Sequence, residues 1–268
     1  MLSTLYTLVD RLFPSIAYNF SKRWFEFLSS RDSGRHMLFM NYGYEAEQPV
    51  PLSEADEPDR YSIQLYHRVA GGVDLSGLDV LEVGSGRGGG ASYVRRRLGP
   101  ARVVGVDLAE SAVDFCRGHY AVPGLTFQRG DAEALAFPDG SFDAVINIES
   151  SSCYERPERF FAEVGRVLRP GGHFLYADVR ARDGFPEWER QLAASGLEEL
   201  EREDITERVL AALDRDSGRR RRLIVAMVPW GLRRVFTEFA AVPGSKYFYE
   251  AMIRGEKVYR RHVYRKPN

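Results

Sequence analysis

The stretch LEVGSGRGGG, residues 81–90, contains five glycines in ten positions and includes the end of an apolar run. Glycine lets a backbone turn sharply or approach a ligand closely. Gly84, Gly86 and Gly89 fit the pattern G-x-G-x-x-G between a predicted strand and a predicted helix, which is typical of a dinucleotide-binding turn. Asp107 ends the next predicted strand, where an acidic residue would bind a ribose diol. The stretch therefore predicts an adenosine-containing ligand, and a tight strand–helix turn without a ligand is the alternative.

Strand-like and helix-like segments alternate around this loop. Apolar runs predict strands at 79–84, 101–107, 125–131, 142–150 and 172–179. Helical patterns lie at 61–72, 90–98, 110–120 and 157–168. Such alternation predicts a doubly wound α/β fold, in which a mostly parallel sheet is covered by helices on both faces.

The outer parts of the chain follow other patterns. Residues 1–60 predict an N-terminal helical cover, ending in a polar loop, and residues 61–182 form the predicted core. Residues 183–254 predict a helical lid insertion, in which 187–200 and 204–242 are amphipathic helices. Residues 255–268 alternate apolar and polar side chains and predict an antiparallel edge strand that completes the sheet.

Composition excludes several classes of function. The 268 residues carry a formal net charge of -1, which gives no overall attraction to nucleic acid, so we expect no nucleic-acid partner. The basic run Arg219–Arg222 is interpreted as a solvated helix face. The two cysteines lack metal-ligand spacing, so no metal site is expected. With no segment of transmembrane length, we expect a cytoplasmic protein, either a monomer or a homodimer.

Further features distinguish among adenosine ligands. Glu82 lies two residues before Gly84, where a carboxylate would repel a pyrophosphate and attract a cationic ligand. Asp131 follows the third predicted strand, and an Arg-Pro-Gly-Gly turn at 169–172 precedes the fifth. Together these motifs resemble the class I S-adenosylmethionine-dependent methyltransferases over roughly residues 61–180. The resemblance implies a Rossmann-like sheet of seven strands, a methyltransferase activity and S-adenosylmethionine as cofactor, with S-adenosylhomocysteine as product.

The resemblance also implies roles for individual residues. The glycine loop would pass under the methionine part of the cofactor, Asp107 would hold the ribose hydroxyls, and Asp131 would reach the adenine amino group. The implied cofactor contacts are Tyr42, Glu82, Gly84, Ser85, Gly86, Gly88, Asp107, Leu108, Asp131, Ala132, Asn147 and Ile148.

A narrower likeness appears in NYGYE (41–45), INIESSSCY (146–154) and LRPGGHFLYADVR (168–180). These segments are similar to the phthiotriol and phenolphthiotriol dimycocerosate methyltransferases and to polyketide O-methyltransferases. The likeness implies O-methylation of a hydroxyl on a hydrophobic small molecule, such as a polyketide, a lipid or another natural product. By the same likeness Tyr42 would close over the cofactor, with simple packing of the N-terminal helices as the alternative.

The chain departs from this pattern at the expected base. Many of these enzymes carry a histidine where this chain has Ser152, and serine at its ordinary pKa cannot act as a base. Glu149 and Tyr154 would lie nearest the reacting methyl group, and His36 or His67 could supply a base from the N-terminal part. C- or N-methylation, and a cofactor-bound cyclisation without methyl transfer, remain alternatives.

Overall fold

The computed structural model describes residues 37–268. Its strands are β1 Asp79–Val83, β2 Arg102–Asp107, β3 Leu125–Arg129, β4 Phe142–Ile148, β5 Leu168–Ala181, β6 Glu198–Asp204 and β7 Lys257–Arg265. Its α-helices are α1 Arg60–Ala70, α2 Gly89–Arg97, α3 Glu110–His119, α4 Pro157–Val167, α5 Phe185–Ala193, α6 Thr206–Met227, α7 Arg233–Phe239 and α8 Tyr249–Ile253. Short 3-10 turns lie at Glu57–Asp59, Ser151–Cys153, Arg182–Gly184 and Trp230–Leu232.

The seven strands form one sheet in the order β3-β2-β1-β4-β5-β7-β6. Neighbouring strands among β1 to β5 run parallel, while β7 pairs antiparallel with both β5 and β6. The predicted doubly wound, mostly parallel α/β fold is thereby confirmed. The strand order reverses between β1 and β4, and ligands of open α/β sheets bind at the carboxyl ends of strands beside such a point.

Neighbouring residues of a strand point to opposite faces of the sheet. Helices cover both faces, so both sets of side chains are buried. In β1, Val80 belongs to the apolar cluster that packs under α1 and α2, and Leu81 to the cluster under α4 and α5. A third and smaller cluster, Ile224, Val228, Phe236 and Val242, lies apart in the lid between α6 and α7. The lid therefore has an apolar interior of its own.

Two expectations at the end of the sheet are wrong. The C-terminal strand β7 is not the edge strand, because β6 pairs outside it. Residues 198–204, expected within the helical insertion, form that edge strand, so the predicted helix over 187–200 is replaced by α5 and the start of β6. The sequence of β6, EELERED, suits an exposed edge, where charged side chains discourage further pairing. Glu198 and Glu201 form ion pairs with Arg265 and Arg261 of β7.

Within residues 37–268, no helix combines the length and apolar character needed to cross a membrane. The same part of the chain contains no cluster of histidine, cysteine and acidic side chains suited to a metal ion.

Candidate active site

A cavity opens at the carboxyl ends of β1, β2 and β4, beside the reversal of strand order. The glycine loop after β1 forms its floor, the residues after β2 and β3 form one wall, and the turn after β4 forms the other. Residues 38–41 cover it from above. The structure thus brings together segments that are more than one hundred residues apart in the sequence.

Backbone hydrogen bonds hold the glycine loop against the end of β2. The amides of Gly84 and Ser85 both donate to the carbonyl of Val106, at 2.8 and 3.0 Å. Gly84 and Gly86 have φ angles of +75° and +50°, which favour glycine. A Cβ at Gly84 would lie 2.0 Å from the Oγ of Ser150, so the two walls meet too closely for any side chain there.

Asp107 lies at the end of β2 and faces the cavity beside Leu108. Its Oδ2 accepts the amide of Gly86 at 2.8 Å, and its Oδ1 accepts the amide of Ala109 at 2.9 Å. Burial raises the pKa of this carboxyl. Each carboxylate oxygen can accept two hydrogen bonds, so both can still accept one from a ribose hydroxyl.

Asp131 and Ala132 line the adjoining wall after β3, as the resemblance implies. Asp131 Oδ1 accepts the amide of Glu133 at 2.9 Å, which fixes the carboxyl at the cavity edge. Leu108 and Ile148 also line the cavity. The carboxyl of Asp131 suits the polar edge of an adenine ring, and these apolar side chains suit its faces. The residues present therefore fit an S-adenosyl nucleoside.

Glu82 does not line this cavity, contrary to the expectation that it faces a cationic ligand. Its side chain is buried behind the glycine loop, where Oε1 accepts the hydroxyl of Tyr66 at 2.5 Å. Burial raises the pKa of Glu82 to about 8, so the neutral form predominates at pH 7. The carboxyl therefore supports Tyr66, whose ring does line the cavity, and it presents no full charge to a ligand.

Gly88 and Asn147 also lie outside the cavity lining. A Cβ at Gly88 would meet Phe127, Cys116 and Tyr120, so this residue faces the core. Asn147 is fully buried, and its Nδ2 donates to the carbonyl of Val83 at 2.8 Å. Both residues are placed to shape the loop from behind.

Glu149 follows β4 directly and has a φ of +52°, a strained value for a residue with a side chain. Its Oε1 accepts the amide of Tyr42 at 2.7 Å and the hydroxyl of Tyr259 at 2.8 Å. Its Oε2 accepts no hydrogen bond from the described residues, and the residue lines the cavity. Burial raises the pKa of Glu149 to about 8. The result is a carboxyl that two donors orient at the cavity.

Tyr42 does not line the cavity itself. Its hydroxyl donates to the carbonyl of Phe239, and its amide holds Glu149. The guanidinium of Arg220 in α6 donates to the carbonyls of Asn41 and Tyr42, both at 2.9 Å. Tyr42 therefore links the lid to Glu149.

Ser152 does not lie in the cavity either. Its side chain is exposed, and its amide donates to Asp178 Oδ2 at 3.0 Å. The 3-10 turn Ser151–Cys153 directs Ser151 inward instead, where its hydroxyl bonds to Asp178 at 2.8 Å. The residue that the resemblance matches to a histidine is thus outside the cavity.

Tyr154 lines the cavity, but next to the glycine loop. Its hydroxyl bonds to the Oγ of Ser150 at 2.7 Å and accepts the amide of Asn147 at 3.1 Å. Burial raises the pKa of this phenol, so it stays protonated. Tyr154 therefore holds Ser150 and Asn147 next to the glycine loop.

Of the two candidate histidine bases, only His67 belongs to the described residues, and it does not line the cavity. His67 shares a hydrogen bond of 2.9 Å with the hydroxyl of Tyr93 and is absent from the lining, while His36 lies outside the described residues. None of the described lining residues is a histidine.

Sequence reasoning missed several lining residues. They are Leu38, Phe39, Met40, Asn41, Tyr66, Val83, Arg87, Gly90, Val106, Ala109, Ala112, Gly130, Glu133, Ser150 and Cys153. Many of them adjoin predicted contacts in sequence and could have been found by extending the motifs. Asn41 adjoins Tyr42 in the NYGYE segment, whereas residues 38–40 and Tyr66 carried no such signal, because they reach the cavity only through tertiary packing.

The comparisons with known proteins agree with this geometry. A family model described as a methyltransferase domain matches residues 81–176. A fatty-acid O-methyltransferase of Mycolicibacterium smegmatis is 41% identical over 259 residues, which are 96% of this chain and 93% of that protein. A phthiotriol/phenolphthiotriol dimycocerosates methyltransferase of Mycobacterium tuberculosis is 42% identical over 245 residues, 91% of this chain and 90% of that protein.

A solved structure shows the same fold at lower identity. It is a geranyl diphosphate C-methyltransferase from Streptomyces coelicolor in complex with Mg²⁺, geranyl diphosphate and S-adenosyl-L-homocysteine. Its TM-score is 0.66 at 16% identity, and the alignment covers 93% of this chain and 98% of that one. At this identity the likeness concerns the fold alone.

Proposed function

Because the chain belongs to the S-adenosylmethionine-dependent methyltransferases, we propose that it methylates a hydroxyl oxygen of a hydrophobic, lipid-like small molecule. The relatives support this acceptor class, since one is named for fatty acids and another for phthiotriol dimycocerosates. The observation that carries the choice of a hydroxyl is Glu149, a carboxyl that lines the cavity and is oriented by hydrogen bonds to its Oε1.

The cofactor supplies a methyl group activated on a positively charged sulfur, and a nearby positive charge favours the ionised form of a carboxyl. Glu149 Oε2 then accepts the proton of the acceptor hydroxyl as its oxygen forms a bond to the methyl carbon. The electron pair of the broken carbon–sulfur bond stays on sulfur, which gives S-adenosylhomocysteine. Glu149 thus takes the role that the absent histidine would have, with a pKa close to the working pH.

The other residues hold the two partners. Gly84, Ser85 and Gly86 would underlie the methionine part, Asp107 the ribose hydroxyls, and Asp131 the adenine. Tyr42 and Tyr259 keep Glu149 in place by their hydrogen bonds. Orientation of a reactive methyl group against a nucleophile contributes roughly 7–11 kcal/mol to rate enhancement, so positioning is the larger share of catalysis.

The acceptor would enter between the cover formed by residues 38–41 and the part of the predicted lid 183–254 that follows β6, residues 205–254. Leu38, Phe39 and Met40 give this side of the cavity an apolar surface, as a hydrophobic acceptor requires. We further propose that the enzyme works in the cytoplasm in natural-product or lipid metabolism, as a monomer or homodimer without a nucleic-acid partner. The division into an N-terminal cover, a cofactor-binding core and a lid belongs to the same proposal.

The test uses S-adenosylmethionine with an isotopically labelled methyl group and two acceptors of equal chain length, a long-chain secondary alcohol and the matching fatty acid. An alkali-stable labelled ether from the alcohol, absent with the Gly86→Arg variant, is the expected product. Label appearing only in an alkali-labile ester would assign the carboxyl as acceptor and contradict the hydroxyl proposal. No labelled product from these acceptors or from extracts, while S-adenosylhomocysteine still binds, would contradict methyl transfer itself.

A further inference from the structure

The lid exposes a group of large apolar side chains at the turn between α6 and α7. Val225 is 56% exposed, Trp230 is 85% exposed and Leu232 is 39% exposed. Pro229 and Gly231 beside them are exposed as well. We call Val225, Trp230 and Leu232 the lid patch. An exposed apolar group of this kind marks an interaction surface more often than a solvated one.

The segment that carries the lid patch is rich in arginine. Residues 217–237 contain six arginines and no acidic residue. The run Arg219–Arg222 is not one solvated face: Arg219 and Arg220 turn inward and pair with Asp216, whereas Arg221 and Arg222 are exposed. Arg222 lies three residues before Val225 on α6, so both side chains share one face of the helix.

Arg222 and Arg234 carry charges that are not paired within residues 37–268. Both are exposed, and neither forms an ion pair with a described residue. They flank the lid patch from α6 and α7 respectively. The surface thus combines an apolar centre with uncompensated positive charge at its edge.

The lid patch is held in place from below. The guanidinium of Arg233 donates to the carbonyls of Val228 and Val225, at 3.1 and 2.9 Å. The buried cluster of Ile224, Val228, Phe236 and Val242 fills the space beneath. These buried residues fill the interior of the lid. The side chains of the lid patch therefore lie on its surface, above a packed apolar cluster.

We propose that the lid patch docks the enzyme onto the surface of an anionic lipid bilayer. Trp230, Leu232 and Val225 would enter the headgroup region, where tryptophan in particular is favoured. Arg222 and Arg234 would meet lipid phosphates, since basic residues beside an apolar anchor strengthen binding to anionic leaflets. The net charge of -1 on the whole chain does not oppose this, because the segment 217–237 itself carries six arginines and no acidic residue.

The lid patch begins on the helix that contacts the cover of the cavity, so docking would affect access of the acceptor. This step rests on the proposed function. Arg220 of α6 bonds to the carbonyl of Asn41, which lines the cavity. Val225 follows five residues later on the same helix, about 7.5 Å along its axis. Docking would therefore bring the acceptor side of the cavity close to a membrane in which a hydrophobic acceptor is dissolved.

The test is co-sedimentation of the full chain with vesicles of phosphatidylcholine alone and of phosphatidylcholine with phosphatidylglycerol. We expect binding to the anionic vesicles to exceed binding to the neutral ones by about tenfold, and to weaken with salt. Trp230→Ala with Leu232→Ala, and separately Arg222→Glu, should each reduce that binding by about tenfold.

Matched controls are available on other surfaces. Leu200→Ala removes an exposed apolar side chain from β6, and Arg159→Glu reverses an exposed charge on α4. Neither should change vesicle binding. Equal losses in the controls, or no binding of the unaltered protein to anionic vesicles, would overturn the proposal. A dimer that Trp230→Ala dissociates, without vesicle binding, would assign the lid patch to contact between copies of this chain.

Vesicle binding needs no knowledge of the acceptor, so this test and that of the proposed function fail separately. Loss of binding with unchanged methyl transfer to a dispersed short-chain alcohol is the expected pattern for the lid patch variants. Binding that persists while no acceptor is methylated would sustain the docking and contradict only the activity.

Discussion

The two halves of the cavity are built in different ways. The half that we propose for the cofactor, called the cofactor half, consists of the glycine loop and the residues that end β2 and β3, all within residues 83–133, and its hydrogen bonds are largely made by backbone amides. The acceptor half depends on Glu149, whose donors Tyr42 and Tyr259 are 107 and 110 residues away in the sequence. The first half is local and backbone-based, whereas in the second a side chain is held by donors far away in the sequence, the backbone amide of Tyr42 and the hydroxyl of Tyr259.

This difference has a physical consequence. A backbone site needs particular φ angles and free space, which glycine spacing reports directly. A side-chain network needs partners that only packing brings together, and it can be weakened in steps. We therefore expect a substitution in the cofactor half to abolish cofactor binding. A substitution in the acceptor half should lower kcat/KM by an amount that depends on the contact removed.

The largest effect is expected from Gly84→Ala. The new Cβ would lie 2.0 Å from Ser150 Oγ, so the loop or the turn after β4 must move and the cofactor site is lost. We expect the affinity for S-adenosylhomocysteine, measured by calorimetry, to fall at least about a hundredfold, or ~2.7 kcal/mol.

Gly77→Ala is the matched control for this change. Gly77 has a φ of +74°, nearly that of Gly84, but a Cβ added there would meet no neighbouring atom within 4 Å. Gly77→Ala should therefore lower the free energy of unfolding by about 1–2 kcal/mol through backbone strain alone, and cofactor affinity should stay unchanged. If both variants bound S-adenosylhomocysteine equally, the close approach of Gly84 and Ser150 would have no role.

The next effect is expected from Glu149→Gln. Removal of the base should lower kcat/KM by about 10²–10⁴ while the affinity for S-adenosylhomocysteine stays within a few-fold. In the unaltered enzyme the active form is the ionised carboxyl, so kcat/KM should rise with pH up to a plateau above the pKa of about 8. The variant should show no such rise.

Tyr259→Phe sharpens that measurement. The Tyr259 hydroxyl donates to Glu149 and favours its ionised form, so its removal should raise the pKa of the carboxyl and move the rise in kcat/KM to higher pH. A merely structural role of Glu149 would leave the midpoint of the pH profile where it was.

A smaller effect is expected from Arg220→Met. The buried guanidinium holds the carbonyls of Asn41 and Tyr42, and Asp216 would keep Arg219 as a partner. We expect a loss of about 3 kcal/mol in the free energy of unfolding, with a raised KM for the acceptor. Arg208 lies in the same helix as Arg220 and forms an exposed ion pair with Glu47. Arg208→Met should lower the free energy of unfolding by less than about 1 kcal/mol. Equal losses of stability by urea unfolding would contradict the distinction.

The smallest effect is expected from Ser152→Ala. The side chain is exposed and outside the cavity, so kcat and KM should stay within about twofold of the unaltered enzyme, since surface changes usually cost under about 0.5 kcal/mol. A large loss of kcat would mean that the turn after β4 rearranges during catalysis and carries Ser152 into the site.

Most of the sheet could be predicted from sequence, because buried parallel strands are short apolar runs bounded by turns. The end of the sheet could not. The pattern EELERED in β6 has no apolar alternation, and its charges make sense only beside the arginines of β7. For the same reason β7 resembled an edge strand, since its polar residues face ion-pair partners rather than water.

Part of the cavity lining could be predicted from the sequence by itself. Gly84, Gly86, Asp107 and Asp131 are required at fixed intervals along consecutive strand ends, and the structure places all four at the cavity. Only the tertiary structure decided the acceptor half. It turned Ser152 outward, withdrew Glu82 behind the loop and brought Tyr42 and Tyr259 to Glu149. Short-range backbone geometry is written in residue spacing, whereas the partner of a buried side chain depends on how distant segments pack.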